Sequence, residues 1–170
     1  LPAGQLVKLD ANENLYGPHP AVREAVAAAD LPIYPDPSQT ALRSAIADYV
    51  GVDANQIVAG SGADDLIDIL LRLVRPAVAV TASPTFGMYS FLAKVNGTRF
   101  VEVPRGGRFE IDVPAIGRTV DRGARLIFLT SPNNPTGNCL TLTEVEALCE
   151  MDALVVVDEA YVEFGGASVI

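Results

Sequence analysis

A single histidine, His19, and only two lysines, Lys8 and Lys94, occur among the 170 residues. One imidazole cannot build a histidine-rich metal centre or, set between the prolines of "GPHPAV", serve a Ser-His-Asp triad as readily as it can mark a helix entry. Cations are scarce as well: Lys and Arg number 12 against 21 Asp and Glu, giving a net charge of −9 and a pI near 4.4. That balance lacks the basic footprint of a nucleic-acid binder and the Lys/Arg cluster of a membrane surface. No apolar run approaches the ~18 residues of a membrane span, and "LPAGQLVKLDANEN" carries no signal-peptide pattern. Cys139 and Cys149 are too far apart for a CxxC motif and read as reduced thiols, so the expected location is the cytoplasm.

What the chain has in quantity is apolar: 49% of residues are hydrophobic and the mean hydropathy is +0.28. The length suffices for one domain with a core, and the composition suits buried parallel strands or a large subunit interface. No internal repeat or low-complexity segment is present. Residues 1–17 read as an extended arm with turn signals at "ANENLYGP". "PAVREAVAAA" predicts a short helix with Pro20 in its first turn. "LPIYPDP", with three prolines, cannot be regular structure. "SQTALRSAIADYVG" predicts an amphipathic helix capped by Ser38, with Leu42, Ile46, Tyr49 and Val50 as its apolar face and Gly51 at its end.

Strands and helices then alternate. "QIVAG", "AVAVTA", "TRFVEVP", "ARLIFLT" and "ALVVVDEAY" predict strands. "ADDLIDILLRLV", apolar almost all round and therefore expected to be buried, "TFGMYSFLAKVN", "DVPAIGRTV" and "LTEVEALCE" predict helices. The last of these has a capping box from Thr141 with Glu144 or Thr143 with Glu146. Short apolar strands between helices imply βαβ units: an α/β fold whose mainly parallel sheet carries helices on both faces, with right-handed crossovers. In such sheets ligands sit beyond the carboxyl ends of the strands. Those ends read "GSGADD", "SPTFGMY", "SPNNPTG" and "DEAY", a glycine turn, an aromatic, an amide and a carboxylate.

Each motif has an ordinary reading. "GSGADD" fails as a dinucleotide fingerprint because Asp65 stands where the third glycine belongs, but the N–H groups of Ala63 and Asp64 at a helix start suit a phosphate. "VVVDEAY" resembles the acid pair of P-loop NTPases, but no glycine-rich loop precedes either lysine. "SPNNPTGN", with two prolines and a glycine around Asn133 and Asn134, is at least a turn. Taken together, "LDANENLYGPHP", "YPDPSQTALRSAIADY", "GSGADDLIDILLR", "SPTFGMY", "SPNNPTGN" and "VVVDEAYVEF" resemble the histidinol-phosphate aminotransferases. These are a branch of the fold type I aminotransferases that use pyridoxal 5'-phosphate.

The resemblance implies a role for each matching residue. Asn134 and Tyr161 reach the phenolic oxygen of the cofactor, Asp158 pairs with its ring nitrogen, and Phe86 stacks on its ring. Ala63 and Asp64 offer backbone N–H groups to its phosphate. Tyr34 reaches the phosphate in the partner subunit of a homodimer, Tyr16 and Asn134 line the substrate pocket, and no metal is implied. The implied reaction joins L-histidinol phosphate and 2-oxoglutarate in histidine biosynthesis. Residues 1–36 correspond to an arm, first helix and dimer-contact loop, and residues 37–170 to the first part of the large, cofactor-binding domain. The chain departs from the family where "LLRLVRPAVAVTA" joins helix to strand through little more than Arg75 and Pro76. Neither lysine follows a strand end, so the lysine that the resemblance implies as the cofactor's covalent anchor is expected outside these residues, as are the second half of the large domain and the small domain. An aromatic-amino-acid aminotransferase of the same branch, and a non-catalytic fragment that binds the cofactor weakly, are the alternatives.

Overall fold

The computed structural model describes Lys8, residues 10–165 and residues 167–170. The chain divides into two compact units, Leu1–Thr40 and Ala41–Ile170. In the first, α1 (Pro20–Ala27) begins with its proline in the first turn, where a missing N–H is harmless. His19 caps it, its Nδ1 accepting from the Ala21 amide at 3.3 Å. Asn14 organises the preceding turn, accepting from Tyr16 N at 3.1 Å and donating to Gly17 O at 2.9 Å. Asp36 accepts from the amides of Ser38 and Thr40, both at 2.9 Å. The Thr40 hydroxyl and these amides hold the Asp36 carboxyl below the usual carboxylate range. Ser38 is therefore not the cap expected of it: α2 (Thr40–Val50) starts later, because an aspartate carboxylate is the stronger acceptor for the first free amides.

Two further expectations fail in the second unit. The apolar face expected of α2 holds only in part: Ile46 and Val50 are half-buried, Leu42 and Tyr49 are exposed, and Ala47 is the residue the helix buries. "QIVAG" is not a strand. Gln56 ends a single 3-10 turn, Ala54–Gln56, and Ile57 is extended at φ −99 and ψ 130, but no strand of the described residues pairs with this stretch. Extended backbone without a ladder partner is not a sheet element.

The sheet begins after α3 (Gly62–Val74). It comprises β1 (Val78–Ser83), β2 (Arg99–Pro104), β3 (Ala124–Thr130) and β4 (Leu154–Asp158), all parallel, in the order β2-β1-β3-β4. The connections are α4 (Met88–Val95), α5 (Val113–Asp121) and α6 (Leu142–Cys149), the last opened by the Thr141–Glu144 capping box.

Period-two alternation divides the core. Val80 and Ala82 of β1 and Ile127 and Leu129 of β3 pack with Ile116 and Val120 of α5 and Leu148 of α6. Ala79 of β1 and Leu126 and Phe128 of β3 pack on the other face with Ile67 and Leu71 of α3 and Tyr89 and Ala93 of α4. Only one side of α3 is covered: Ile67 and Leu71, one turn apart, are buried, whereas Leu73 is 76% exposed. The expectation of burial all round is corrected accordingly. A single sheet lies under one stripe of a helix, and nothing among the described residues covers the other.

Phe128 is fully buried and stacks on Tyr89, centroids 5.2 Å apart and rings 9° from parallel. Replacing it with alanine removes that partner and opens a cavity under α4. Phe128→Ala in the intact protein should lower unfolding free energy by about 3–5 kcal/mol, measured from the urea midpoint at constant m-value. A loss below about 1 kcal/mol would contradict this packing.

Candidate active site

The strand order reverses between β1 and β3: the chain leaves β1 for β2 on one side and arrives at β3 on the other. At such a switch point the loops after adjacent strands part and leave a crevice at the carboxyl edge. A cleft of about 270 Å³ lies at that edge. Ala63 and Asp64 from α3, Phe86 from the loop after β1, Asn134 from the loop after β3, Asp158 from the end of β4 and Tyr161 beyond it line this cleft together. Tyr16 and Tyr34 belong to the first unit and are 100% and 97% exposed.

Local chemistry explains each position. "SPNNPTGN" folds on itself: Gly137 N donates to Asn133 O and Asn133 N to Asn138 O, both at 2.7 Å, with Gly137 at φ +74 where a side chain would be strained. The two asparagines divide the work. Asn133 is 3% exposed and both ends of its amide are engaged. It donates to Pro84 O (3.1 Å) and Thr136 Oγ1 (2.7 Å) and accepts from Thr85 Oγ1 (2.8 Å). Asn134 is half-buried and faces the cleft. Asn138 Nδ2 ties the same loop to Arg108 O at 3.0 Å.

At the start of α3, Ser61 makes no side-chain cap. Asp65 folds back instead and accepts from Ser61 N at 2.9 Å. The N–H groups of the first helical turn, Gly62 to Asp64, stand at the mouth of the cleft as the donors a helix start leaves without internal partners. The turn demands glycine at position 60, because a Cβ there would sit 2.6 Å from Asp65 Oδ2 and 3.0 Å from Leu66 Cδ2.

Asp158 is held at both oxygens. Oδ1 accepts from Ala160 N at 3.0 Å and Oδ2 from the Tyr89 hydroxyl at 2.6 Å. Tyr89 OH lies 2.8 Å from Thr130 Oγ1, and Thr130 pairs with Asp158 across the β3–β4 ladder. Tyr89 is fully buried, edge-on to Phe86 with centroids 5.6 Å apart. Burial first, and then the Asp158 charge, push its phenol far above the ordinary value, so it remains a donor. Sequence reasoning missed Tyr89, Thr130 and Asn133. Period two from Phe128 on "LIFLT" would have placed Thr130 on the same face as the ring of Tyr89. The proton's destination required the fold. Lys94 is exposed in the last turn of α4 and does not line the cleft, while Lys8 pairs with Glu13 at 3.6 Å.

The model of the class I and II aminotransferases matches residues 4–169. The chain belongs to that family. Among curated aminotransferases, the histidinol-phosphate aminotransferase of Roseiflexus castenholzii is 49% identical over 179 residues, covering 100% of this chain and 48% of that protein. The chloroplastic one of Nicotiana plumbaginifolia is 47% identical, covering 95% and 40%. Among solved aminotransferases, the histidinol-phosphate aminotransferase of Sinorhizobium meliloti, in complex with pyridoxal-5'-phosphate, superposes with a TM-score of 0.84 at 33% identity, covering 92% of this chain and 44% of that one. The chain thus spans about half the length, or less, of the curated aminotransferases it matches.

The glycine turn is open to test. Gly60→Ala should force the Asp65 carboxylate off Ser61 N and cost about 1 kcal/mol of stability, the worth of a lost helix cap. With Asp65→Ala already in place the added cost should shrink to a few tenths, since the obstructing carboxylate is gone. Additive losses in the double variant, by urea denaturation, would show that the two residues do not meet.

Proposed function

We infer that the protein carrying this chain is a pyridoxal-phosphate-dependent aminotransferase, and that it exchanges an amino group between L-histidinol phosphate and 2-oxoglutarate in histidine biosynthesis, in the cytoplasm. The observation that carries this reading is the convergence in one cleft of a doubly held carboxylate, an amide, a phenol, an aromatic ring and a helix start. The whole-chain similarity to histidinol-phosphate aminotransferases supports the choice of substrate, and the ligand of the Sinorhizobium protein supports the choice of cofactor.

The residues present fit that cofactor. The N–H groups of Ala63 and Asp64, on an uncapped first turn, suit its phosphate. Phe86 offers a ring face. Asn134 and Tyr161 offer donors to its phenolic oxygen, and Asn134 also borders the substrate. Asp158, with both oxygens oriented, has lone pairs left to hold a proton on the ring nitrogen. Bound pyridoxal phosphate supplies an electron sink for charge developing at the substrate α-carbon, and a charged ring nitrogen is what makes it one. Asp158 keeps that proton in place, and an amide there could not. Lys8 and Lys94 have no part in this arrangement. Residues 1–36 act as the arm, first helix and dimer-contact loop, and residues 37–170 as the first part of the cofactor-binding domain.

In the intact protein, assayed with histidinol phosphate and 2-oxoglutarate, Asp158→Asn should lower turnover by roughly a hundredfold or more, with far-ultraviolet circular dichroism unchanged. Near-wild-type turnover in this variant would sink the assignment.

The first unit supports a homodimer with shared sites. Tyr34 is exposed in a loop organised by Asp36, and Leu31 and Ile33 are exposed beside it. Such apolar side chains suit a subunit interface. Tyr34→Ala subunits mixed with Asp158→Asn subunits should regain one working site per mixed dimer, about a quarter of wild-type activity under free exchange. If the mixture stays as inactive as its parents, Tyr34 serves its own subunit or none.

A further inference from the structure

Tyr89 heads the described residues in size among those fully buried. Its ring needs no hydroxyl to pack. It stacks on Phe128 at 5.2 Å and meets Phe86 edge-on at 5.6 Å, and phenylalanine would fill the same space. A hydroxyl buried there adds a desolvation cost that only good partners offset, so its bonds are informative.

The bonds have one consistent proton order. A phenol has a single proton, and at 2.6 Å it goes to the Asp158 carboxylate, which can only accept. Tyr89 must then accept from Thr130 Oγ1 at 2.8 Å. Thr130 sits beside Asp158 in the ladder and the residue is 2% exposed, so its hydroxyl has no solvent to turn to. Thr85, 3.3 Å from Thr130, has its better acceptor in Asn133 Oδ1 at 2.8 Å. The Asp158 carboxylate thus receives one donor per oxygen, Ala160 N on Oδ1 and Tyr89 on Oδ2. One donor alone would leave the group free to rotate about its last torsion, whereas two define its plane.

We propose that Tyr89, backed by Thr130, is a positioning residue for the cofactor: by donating to Asp158 Oδ2 it sets the plane of the carboxylate and aims the remaining lone pairs at the ring nitrogen, while its ring packs against Phe86. It touches neither cofactor nor substrate and acts through Asp158. The proposal rests on the pyridoxal phosphate reading given above.

The test is equilibrium binding to the cofactor-free, full-length protein of two ligands: pyridoxal phosphate, and its analogue with CH in place of the ring nitrogen. Only the first can use an aimed carboxylate. Wild type should prefer pyridoxal phosphate. Tyr89→Phe should weaken pyridoxal phosphate about tenfold, the worth of a hydrogen bond to a charged group, and the analogue by no more than about twofold. Thr130→Val should act in the same direction less strongly, and it decides the matter if Tyr89→Phe does not fold. Equal weakening of both ligands would mean that Tyr89 only packs, and no weakening of either would mean that Asp158 is placed without it. Both results overturn the proposal. Wild type that binds the two ligands alike would remove the ring-nitrogen contact and Tyr89's role with it. Wild type that binds neither would instead overturn the cofactor reading on which the proposal stands.

Discussion

The parallel ladder of β3 with β4 sets Thr130 beside Asp158 at the carboxyl edge of the sheet. Because side chains alternate, both residues share the face that Leu126, Phe128 and Val156 present to α3 and α4. Helix α4 lays Tyr89 against that face with its hydroxyl at the edge, where the sheet stops covering polar groups. Slide β4 by one residue and Asp158 would point to the α5 side, away from Tyr89 and the cleft. The apolar packing of β3 and β4 on both faces prevents that slip, so a hydrophobic register ultimately determines where the carboxylate stands.

Buried polar groups are few, and most have partners, with Arg105 Nε and Nη2 and Asn138 Oδ1 as the exceptions among the described residues. Thr81 donates to Phe128 O at 2.7 Å and Thr98 to Pro76 O at 3.0 Å, and Ser131 Oγ accepts from Leu140 N at 3.0 Å. Asn133 engages both ends of its amide with three neighbours. Thr81 ties the middles of β1 and β3 together, the others fix backbone beside strand ends, and none of them lines the cleft. The outcome is a hydrogen-bonded frame around a small set with capacity left over at the cleft: Asn134, Asp158 and the N–H groups of α3. Rigidity and spare hydrogen-bonding capacity in adjacent residues are what a preorganised site requires.

The order of the elements, the parallel sheet and the strand ends that carry chemistry were legible in the sequence, because alternating periodicity and turn residues are local signals. "SPNNPTGN", "GSGADD" and "DEAY" could be picked out as places where ligands bind, and Thr141 with Glu144 as a helix cap. Local signals also misled. "QIVAG" has the composition of a strand but no partner among the described residues. Ser38 is a good cap residue but is outcompeted by Asp36, and α3 reads as buried all round although one side is open.

Sequence by itself determined which residue types stand at each strand end and the period that assigns neighbouring positions to opposite faces, since both depend on bonds and sterics within a few residues. Only the tertiary structure decided that Tyr89, 69 residues from Asp158, donates its hydrogen bond to that carboxylate, and that Asn133 rather than Asn134 is spent on the frame. Those outcomes depend on strand order and on which acceptor lies within about 3 Å, a distance that no local pattern encodes. A hydrogen bond between distant segments exists only once hydrophobic packing has set their register.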